Sequence, residues 1–231
     1  MASRFILHIS FITGYFFTII KSKIMKQKIT LLLMATFILA NAFAQKPSIG
    51  FTEGLTSSSW KATVDNETET TDSRIGFTAG IVAAIPISSN FSFMPSLNFV
   101  QKGFESSFGD AIILESTLNY LEMPLNFVYN RDGFFFGAGP AISFGITGNG
   151  ASTYNGRTEE EDIKFGSEDD EMKSTEFSAN FLTGYQFNNG FLISLNYNLG
   201  LSNIMNSNVD NEKLTNRYFG LRIGYMFMKR K

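Results

Sequence analysis

Three charged residues, Lys102, Glu122 and Arg222, interrupt segments in which bulky apolar side chains alternate with small polar ones, and all three share the polar face. A charge enclosed in a protein must be paired or hydrated, because an isolated buried charge is prohibitively costly. The three residues could therefore form an internal network of ion pairs, or line a gate or a path for ions. We expect the network, with Glu122 paired to Arg222.

A second group of ionisable residues is acidic. Residues 159–162 and 168–171 supply eight carboxylates within thirteen positions. Carboxylates are hard oxygen ligands that could bind Ca²⁺ or Mg²⁺, but this run lacks the regular alternation and the turn glycine of a dedicated calcium loop. We therefore expect a solvated loop whose like charges repel one another, and no metal site.

Residues that most catalytic sites need are missing from the sequence. There is no Cys, and the single histidine, His8, lies in a segment that we expect to be removed. The mature chain therefore has no disulfide, thiolate metal site, thiol nucleophile or His-assisted serine nucleophile. A pair of carboxylates could still act as acid and base, but nothing places two of them on a shared strand face. We expect no enzyme and no cofactor.

Strands must position these residues, because the side-chain alternation from Arg74 to Phe227 has the two-residue period of a β-strand. We predict eight strands, at residues 48–55, 74–87, 91–102, 118–129, 134–147, 176–187, 191–201 and 217–227. Most span about ten residues or a little more, which is the length that crosses a bilayer at a tilt.

The links between the predicted strands alternate strictly between short and long. The short links, residues 88–90, 130–133 and 188–190, are rich in Asn, Ser, Asp and Gly, as tight hairpins require. The long links, residues 61–73, 103–117, 148–175 and 202–216, are polar. In an up-and-down barrel this order puts all short turns at one end and all long loops at the other, which is typical of bacterial outer-membrane barrels.

The composition of the two strand faces predicts which face meets lipid. The polar face is mainly Gly, Ser and Asn, whereas a face open to bulk water would carry many Lys and Glu. The chain has 25 Phe, and its charged fraction of 17% is below the roughly 25% of soluble domains. We predict an all-β fold, an eight-stranded antiparallel up-and-down transmembrane β-barrel with its Phe-rich face toward lipid and a narrow, crowded lumen. The alternative is a soluble ligand-binding β-barrel with the apolar face inward.

Two residues on the predicted lipid-facing side do not suit that position. Glu53 would put a carboxylate against hydrocarbon, so either a bulge near Glu53 and Gly54 turns it inward or it lies near the lipid headgroups. Pro140 predicts a strand that is bent or locally unpaired. Aromatic residues near strand ends are expected to anchor the barrel at the membrane interfaces: Trp60, Tyr120, Tyr129, Tyr185 and Tyr225.

The beginning of the chain predicts export. Residues 25–44 contain a basic start, an apolar run and a small-residue site ending at Ala44, which is the layout of a signal peptide. Residues 1–24 are interpreted as an upstream mis-start or an extra hydrophobic segment, and residues 45–231 as the barrel domain. Removing residues 1–44 leaves 14 basic and 21 acidic residues, a net charge of −7. This balance argues against nucleic acid as a partner.

Four local sequences, at residues 120–125, 136–140, 196–204 and 219–227, resemble the PorT-like outer membrane β-barrel family of Bacteroidetes-type bacteria. The resemblance covers nearly all of the mature chain and implies an eight-stranded outer-membrane barrel. Some members of that family are linked to protein secretion, and most have no assigned role.

We therefore expect a small outer-membrane barrel with a structural or interaction role that presents long polar loops outside the cell. A narrow porin-like channel and an accessory factor in protein secretion are the alternatives in the same membrane. The expected partners are outer-membrane lipid and lipopolysaccharide, whose phosphates divalent cations could bridge to the acidic loop, and the barrel assembly machinery. The sequence does not identify an extracellular partner.

Overall fold

The structure is a computed structural model, and it describes residues 47–65, 67–109, 112–168, 172–206 and 212–227. The predicted upstream segment 1–24 and the signal peptide 25–44, with its cleavage site at Ala44, lie outside the described residues. Within the part of the chain that the structure describes, no helix is long and apolar enough to span a membrane.

The described residues form twelve strands. They are β1 (Ser48–Val64), β2 (Glu67–Thr70), β3 (Arg74–Pro86), β4 (Phe91–Phe108), β5 (Ile112–Arg131), β6 (Phe134–Tyr154), β7 (Arg157–Ile163), β8 (Phe165–Gly166), β9 (Met172–Lys173), β10 (Thr175–Gln186), β11 (Phe191–Gly200) and β12 (Glu212–Phe227). Eight of them pair in the order β1, β3, β4, β5, β6, β10, β11 and β12, and β12 pairs again with β1. Each pairing in this closed ring is antiparallel. The predicted eight-stranded antiparallel up-and-down barrel is confirmed.

The apolar strand faces point outward. On β12, Phe219 is 66% exposed while its neighbour Tyr218 is 1% exposed, and the alternation continues to Phe227. Outward residues of the other barrel strands are also large and apolar, whereas most of the buried residues are polar or charged. The alternative of a soluble barrel with its apolar face inward is therefore wrong.

The short links form tight turns at one end of the barrel. Asp132 and Gly133 both have positive φ, of 53° and 87°, between β5 and β6, and Gly190 has a φ of 94° between β10 and β11. Three of the predicted anchor tyrosines lie on the outer surface near this end. They make edge-to-face ring contacts with phenylalanines, as in the pairs Phe91–Tyr129, Phe134–Tyr185 and Tyr225–Phe227. This end carries a girdle of aromatic side chains.

The predicted long loops are largely strands, so their predicted bounds are wrong. Strand β1 continues to Val64, and its last residues pair with β2. Strands β4 and β5 stay paired with each other as far as Phe108 and Ile112. Strand β6 continues to Tyr154, and its last residues pair with β7. We call these extensions the ribbons. Threonines face each other across them, with hydroxyl oxygens 3.2 Å apart for Thr63 and Thr68 and 2.9 Å apart for Thr153 and Thr158. Strand β7 is polar or charged on both faces as far as Asp162, so its sequence lacks the apolar contrast that marks a buried strand.

Glu53 stays on the outer face, and the predicted bulge at Glu53 and Gly54 is wrong. The register of β1 runs unbroken against both of its neighbours, β12 and β3. Glu53 pairs with Ile223, the central residue of the five outward apolar residues of β12, so it lies within the apolar band. A register shift occurs instead in β6, beside Asn119 and Tyr120 of β5.

Pro140 interrupts pairing on one side, as predicted. It pairs with Ala179 of β10, but the ladder between β5 and β6 skips it. This asymmetry fits a residue without an amide hydrogen to donate.

Candidate functional site

The lumen, the space enclosed by the ring, contains the charged residues predicted from the sequence. Lys102 on β4 and Glu122 on β5 are fully buried, and Arg222 on β12 is 5% exposed. Each lies on the inward face of its strand. Glu176 on β10, also fully buried, joins them. Among the described residues the buried charges are thus two cations and two anions, so the lumen is close to electrically neutral.

Lys102 is the centre of this group. Its Nζ lies 3.0 Å from Glu122 Oε2 and 3.2 Å from Glu176 Oε2, and it donates a hydrogen bond of 3.2 Å to Ser143 Oγ. The ammonium also lies 4.8 Å from the centroid of the Tyr120 ring. One cation is therefore held by two carboxylates, a hydroxyl and an aromatic face, and these groups come from three strands, β5, β6 and β10.

Arg222 reaches Glu122 through an intervening tyrosine, so the predicted direct pair is wrong. The Tyr218 hydroxyl donates to Glu122 Oε1 over 2.5 Å and accepts from Arg222 Nη2 over 3.2 Å. Tyr218 lies four residues before Arg222 on the same strand face. Its hydroxyl therefore bridges the guanidinium and the carboxylate.

Amides add to the network. Asn216 Nδ2 donates to Glu176 Oε2 over 2.8 Å, and Asn198 Nδ2 donates to Glu122 Oε2 over 3.3 Å. Each carboxylate thus has polar partners in addition to Lys102, which lowers the cost of burying it. Among the described residues, Glu176 Oε1 and Arg222 Nε have no hydrogen-bond partner.

Sequence reasoning missed Glu176 and Tyr120 as members of this network, although the pattern contains a signal for each. Glu176 was taken as the first residue of a predicted strand, and it shares its parity with the inward Ser178. Tyr120 was predicted to anchor the membrane interface, which is wrong: it shares its parity with Glu122 and is fully buried. Trp60 was also predicted as an interfacial anchor. It lies instead on the inward face of β1, where its ring is 4.4 Å from that of Phe104.

The lumen is closed by apolar side chains at both ends of the charged layer. Toward the short turns, Val82, Leu192 and Met226 form a buried cluster. Toward the ribbons, Phe165 packs edge-to-face on Tyr120 with ring centroids 5.5 Å apart, and Ile204 is fully buried. A cavity beside Arg222 measures about 40 Å³, which is on the scale of one or two water molecules.

Gly145 makes room for the apolar cap. A Cβ at this position would lie 2.4 Å from the Phe165 ring. The loop that carries Phe165 is also tied to the loop before β12, since the Lys173 amide donates to the Ile204 carbonyl over 2.8 Å. The cap is therefore built from two separate links, both on the ribbon side.

The acidic run divides between two faces of a strand. Residues 159–162 lie on β7, where alternation puts Glu159 and Glu161 on the inward face and Glu160 and Asp162 on the other. Residues 169–171 lie outside the described residues. No group of three or more acidic or histidine side chains in the described part of the chain is placed to hold a metal ion.

A family model described as outer membrane protein beta-barrel domain matches residues 43–206. Among proteins of curated function, none matches this chain significantly.

Three solved structures resemble the fold. Ail of Yersinia pestis, in complex with the heparin analogue sucrose octasulfate, is 16% identical with a TM-score of 0.42, over 79% of this chain and 99% of that one. Neisserial surface protein A is 12% identical with a TM-score of 0.38, over 77% and 97%. OprG from Pseudomonas aeruginosa is 11% identical with a TM-score of 0.32, over 79% and 97%. Identities this low concern the fold and carry nothing about activity.

Proposed function

Because this chain belongs to the outer membrane protein beta-barrel domain family, we propose that it is a sealed outer-membrane barrel whose role is to hold its ribbons outside the cell for interaction. The barrel is the anchor in this proposal, and the ribbons are the working surface.

The filled lumen is the observation that carries the proposal. An apolar floor at Val82, Leu192 and Met226, a neutral charged layer around Lys102 and an apolar cap at Phe165 follow one another along the barrel axis. An ion crossing the barrel would have to displace all three. Eight strands enclose a space just wide enough for side chains, so the filling agrees with the size of the ring.

The length of the strands supports the second half of the proposal. Strands β4, β5 and β6 have 18, 20 and 21 residues, whereas about 9–11 suffice to cross the hydrocarbon core. The surplus lies entirely on the ribbon side, where the outer face of β5 changes from apolar residues such as Leu121 to Asn119 and Glu115. A rigid ribbon holds side chains in fixed positions better than a flexible loop does, as a recognition surface requires.

The orientation can be tested with single cysteines, since the chain has none of its own. Arg157→Cys puts a thiol at the tip of the β6–β7 ribbon, and Ser89→Cys puts one in a short turn. We expect a maleimide carried on a polymer too large for porins to label Arg157→Cys in intact cells. Ser89→Cys should be labelled once the outer membrane is permeabilised. Labelling of Ser89→Cys alone in intact cells would contradict the proposal.

The narrower assignment to the PorT-like family belongs to the same proposal and is supported by the local sequences at residues 120–125 and 219–227. Export would follow cleavage of a signal peptide near Ala44, with insertion by the barrel assembly machinery among lipopolysaccharide and lipid. A role as an accessory factor in protein secretion would follow from that family. A deletion strain that secretes its proteins normally would count against it.

A further inference from the structure

A cleft of about 540 Å³ opens between the ribbons, above the cap of the lumen. One wall is aromatic, formed by Trp60 of β1 and Phe104 of β4, whose ring centroids are 4.4 Å apart. The other wall is β7, with Glu159 and Glu161 on its inward face. The two walls belong to different ribbons, so the cleft exists because the ribbons face each other.

Two polar groups that line the cleft have no hydrogen-bond partner. Ser116 is 3% exposed, and its hydroxyl oxygen is unpartnered, as is Nε1 of Trp60. Leaving a buried polar group unpaired costs about 1–3 kcal/mol. Both residues belong to the lining of the cleft.

The floor of the cleft is open at Gly150. A Cβ at Gly150 would find its nearest neighbour, Ile163 Cδ1, at 3.7 Å, which is ordinary contact. At Gly148, one step deeper on the same strand face, a Cβ would lie 2.8 Å from Ile163 Cβ. The strand is thus tightly packed below the cleft and unfilled within it.

The cleft has a strong excess of negative charge. Glu159 and Glu161 face inward, and Glu115 and Glu160 also border the space, while no Lys or Arg is among the described residues that line it. The walls therefore combine an aromatic face with carboxylates. A positively charged group held over an aromatic ring is stabilised by the ring's negative face, most strongly over Trp, and carboxylates add charge-assisted hydrogen bonds.

We propose that this cleft binds the cationic side chains of a basic peptide, with a guanidinium or ammonium group between the Trp60 ring and the carboxylates of Glu159 and Glu161. The apolar stem of the same side chain packs against Phe104 and Leu114, and the hydroxyl of Ser116 serves as a hydrogen-bond acceptor. This inference rests on the proposed function, because it names the class of partner that the displayed ribbons recognise.

Trp60 is the single tryptophan of the chain, so its fluorescence reports directly on the cleft. The experiment titrates refolded barrel in detergent micelles with hexaarginine, which has no fluorescence of its own, and follows the emission of Trp60. We expect a saturable change in the wild-type protein. The double variant Glu159→Gln/Glu161→Gln should bind about tenfold or more weakly, since a tenfold loss corresponds to roughly 1.4 kcal/mol.

A matched control separates the cleft from general surface charge. Glu67→Gln/Glu69→Gln removes two carboxylates from β2, which pairs with β1 beyond Trp60 and supplies no residue to the cleft lining. It should change the affinity less than about twofold, because salt screens the interaction between exposed charges that lie far apart. Equal weakening by the two double variants would overturn the proposal.

A second variant tests the space itself. Gly150→Leu keeps every charge and fills the floor, and it should weaken binding while leaving the heat-modifiable gel mobility of the folded barrel unchanged. Wild-type protein that shows no saturable change, or that responds equally to calcium chloride, would also overturn the proposal. Because the titration uses purified protein, its outcome does not depend on the cysteine labelling that tests the proposed function.

Discussion

The lumen and the cleft between the ribbons are built from similar residues in opposite arrangements. Both contain carboxylates beside aromatic rings. In the lumen, Glu122 and Glu176 are fully buried around Lys102, and tyrosine and asparagine side chains donate to their oxygens. In the cleft, Glu159 and Glu161 are exposed and face an aromatic wall without any cation among the lining residues.

The difference separates charge that fills a structure from charge that is available to a partner. Buried charges that neutralise one another do not attract an ion from outside. Removing one of them leaves another buried charge uncompensated. Exposed carboxylates remain hydrated, so they change the free energy of unfolding little. Their negative potential extends into solvent, where it can attract a cation. Changes in the lumen should therefore affect stability, and changes in the cleft should affect binding.

The largest expected effect is that of Lys102→Met. It leaves two buried carboxylates facing each other without their shared cation, and we expect the free energy of unfolding to fall by about 3–5 kcal/mol. Urea unfolding of the barrel refolded in lipid vesicles measures this. Lys213→Met removes an exposed cation of β12 and should stay within about 0.5 kcal/mol of the wild type. If the two variants lost equal free energy of unfolding, the proposed difference between buried and exposed charges would be contradicted.

Removing Lys102 together with one carboxylate should be milder than removing the cation alone. In Lys102→Met/Glu176→Gln the buried charges that remain, Glu122 and Arg222, still balance, so we expect this double variant to be about 2 kcal/mol more stable than Lys102→Met in the same unfolding assay. If the double variant is instead the less stable of the two, Glu176 stabilises the lumen by more than its neutralisation of Lys102.

Tyr218→Phe tests the bridge between Glu122 and Arg222. Losing the hydroxyl removes two hydrogen bonds to charged groups, and we expect a loss of about 2 kcal/mol in the free energy of unfolding. Tyr197→Phe provides the control, because that ring lies on the outer surface against Phe219. A loss for Tyr218→Phe no greater than that of the control would mean that the bridge contributes nothing.

The smallest effect on stability is expected in the cleft. Glu159→Gln/Glu161→Gln removes two exposed like charges, and the free energy of unfolding should stay within about 0.5 kcal/mol of the wild type. Glu122→Gln removes a single charge from the lumen and should cost more than this double change. The reverse order, measured in the same urea series, would mean that the cleft carboxylates are structural.

The sequence predicts the membrane-spanning part of this fold well, because each spanning strand has one apolar face. The alternation of Phe219, Leu221 and Ile223 with Tyr218, Gly220 and Arg222 assigns both faces of β12 without any structure. The ribbons could not be found in this way. Where both faces are polar, as at residues 157–163, the period remains two but the hydrophobic contrast that reveals it is absent.

The candidate site was predictable in part for the same reason. Parity placed Lys102, Glu122 and Arg222 inside, but parity does not say which side chains reach one another across a lumen. That depends on strand order, stagger and side-chain length, which set Glu176 beside Lys102 and put Tyr218 between Glu122 and Arg222. The cleft depends on contacts between two ribbons distant in sequence, so Trp60 and Glu161 could not be associated from spacing alone.

The central claim is that the lumen is a filled structural core and the ribbons are the working surface. Ionic conductance of the refolded wild-type barrel in planar lipid bilayers tests it most directly. The account predicts no steady unitary currents, because the floor, the charged layer and the cap close the lumen. Steady unitary currents that disappear in Glu122→Gln or Arg222→Gln would contradict it and would make the lumen an ion path.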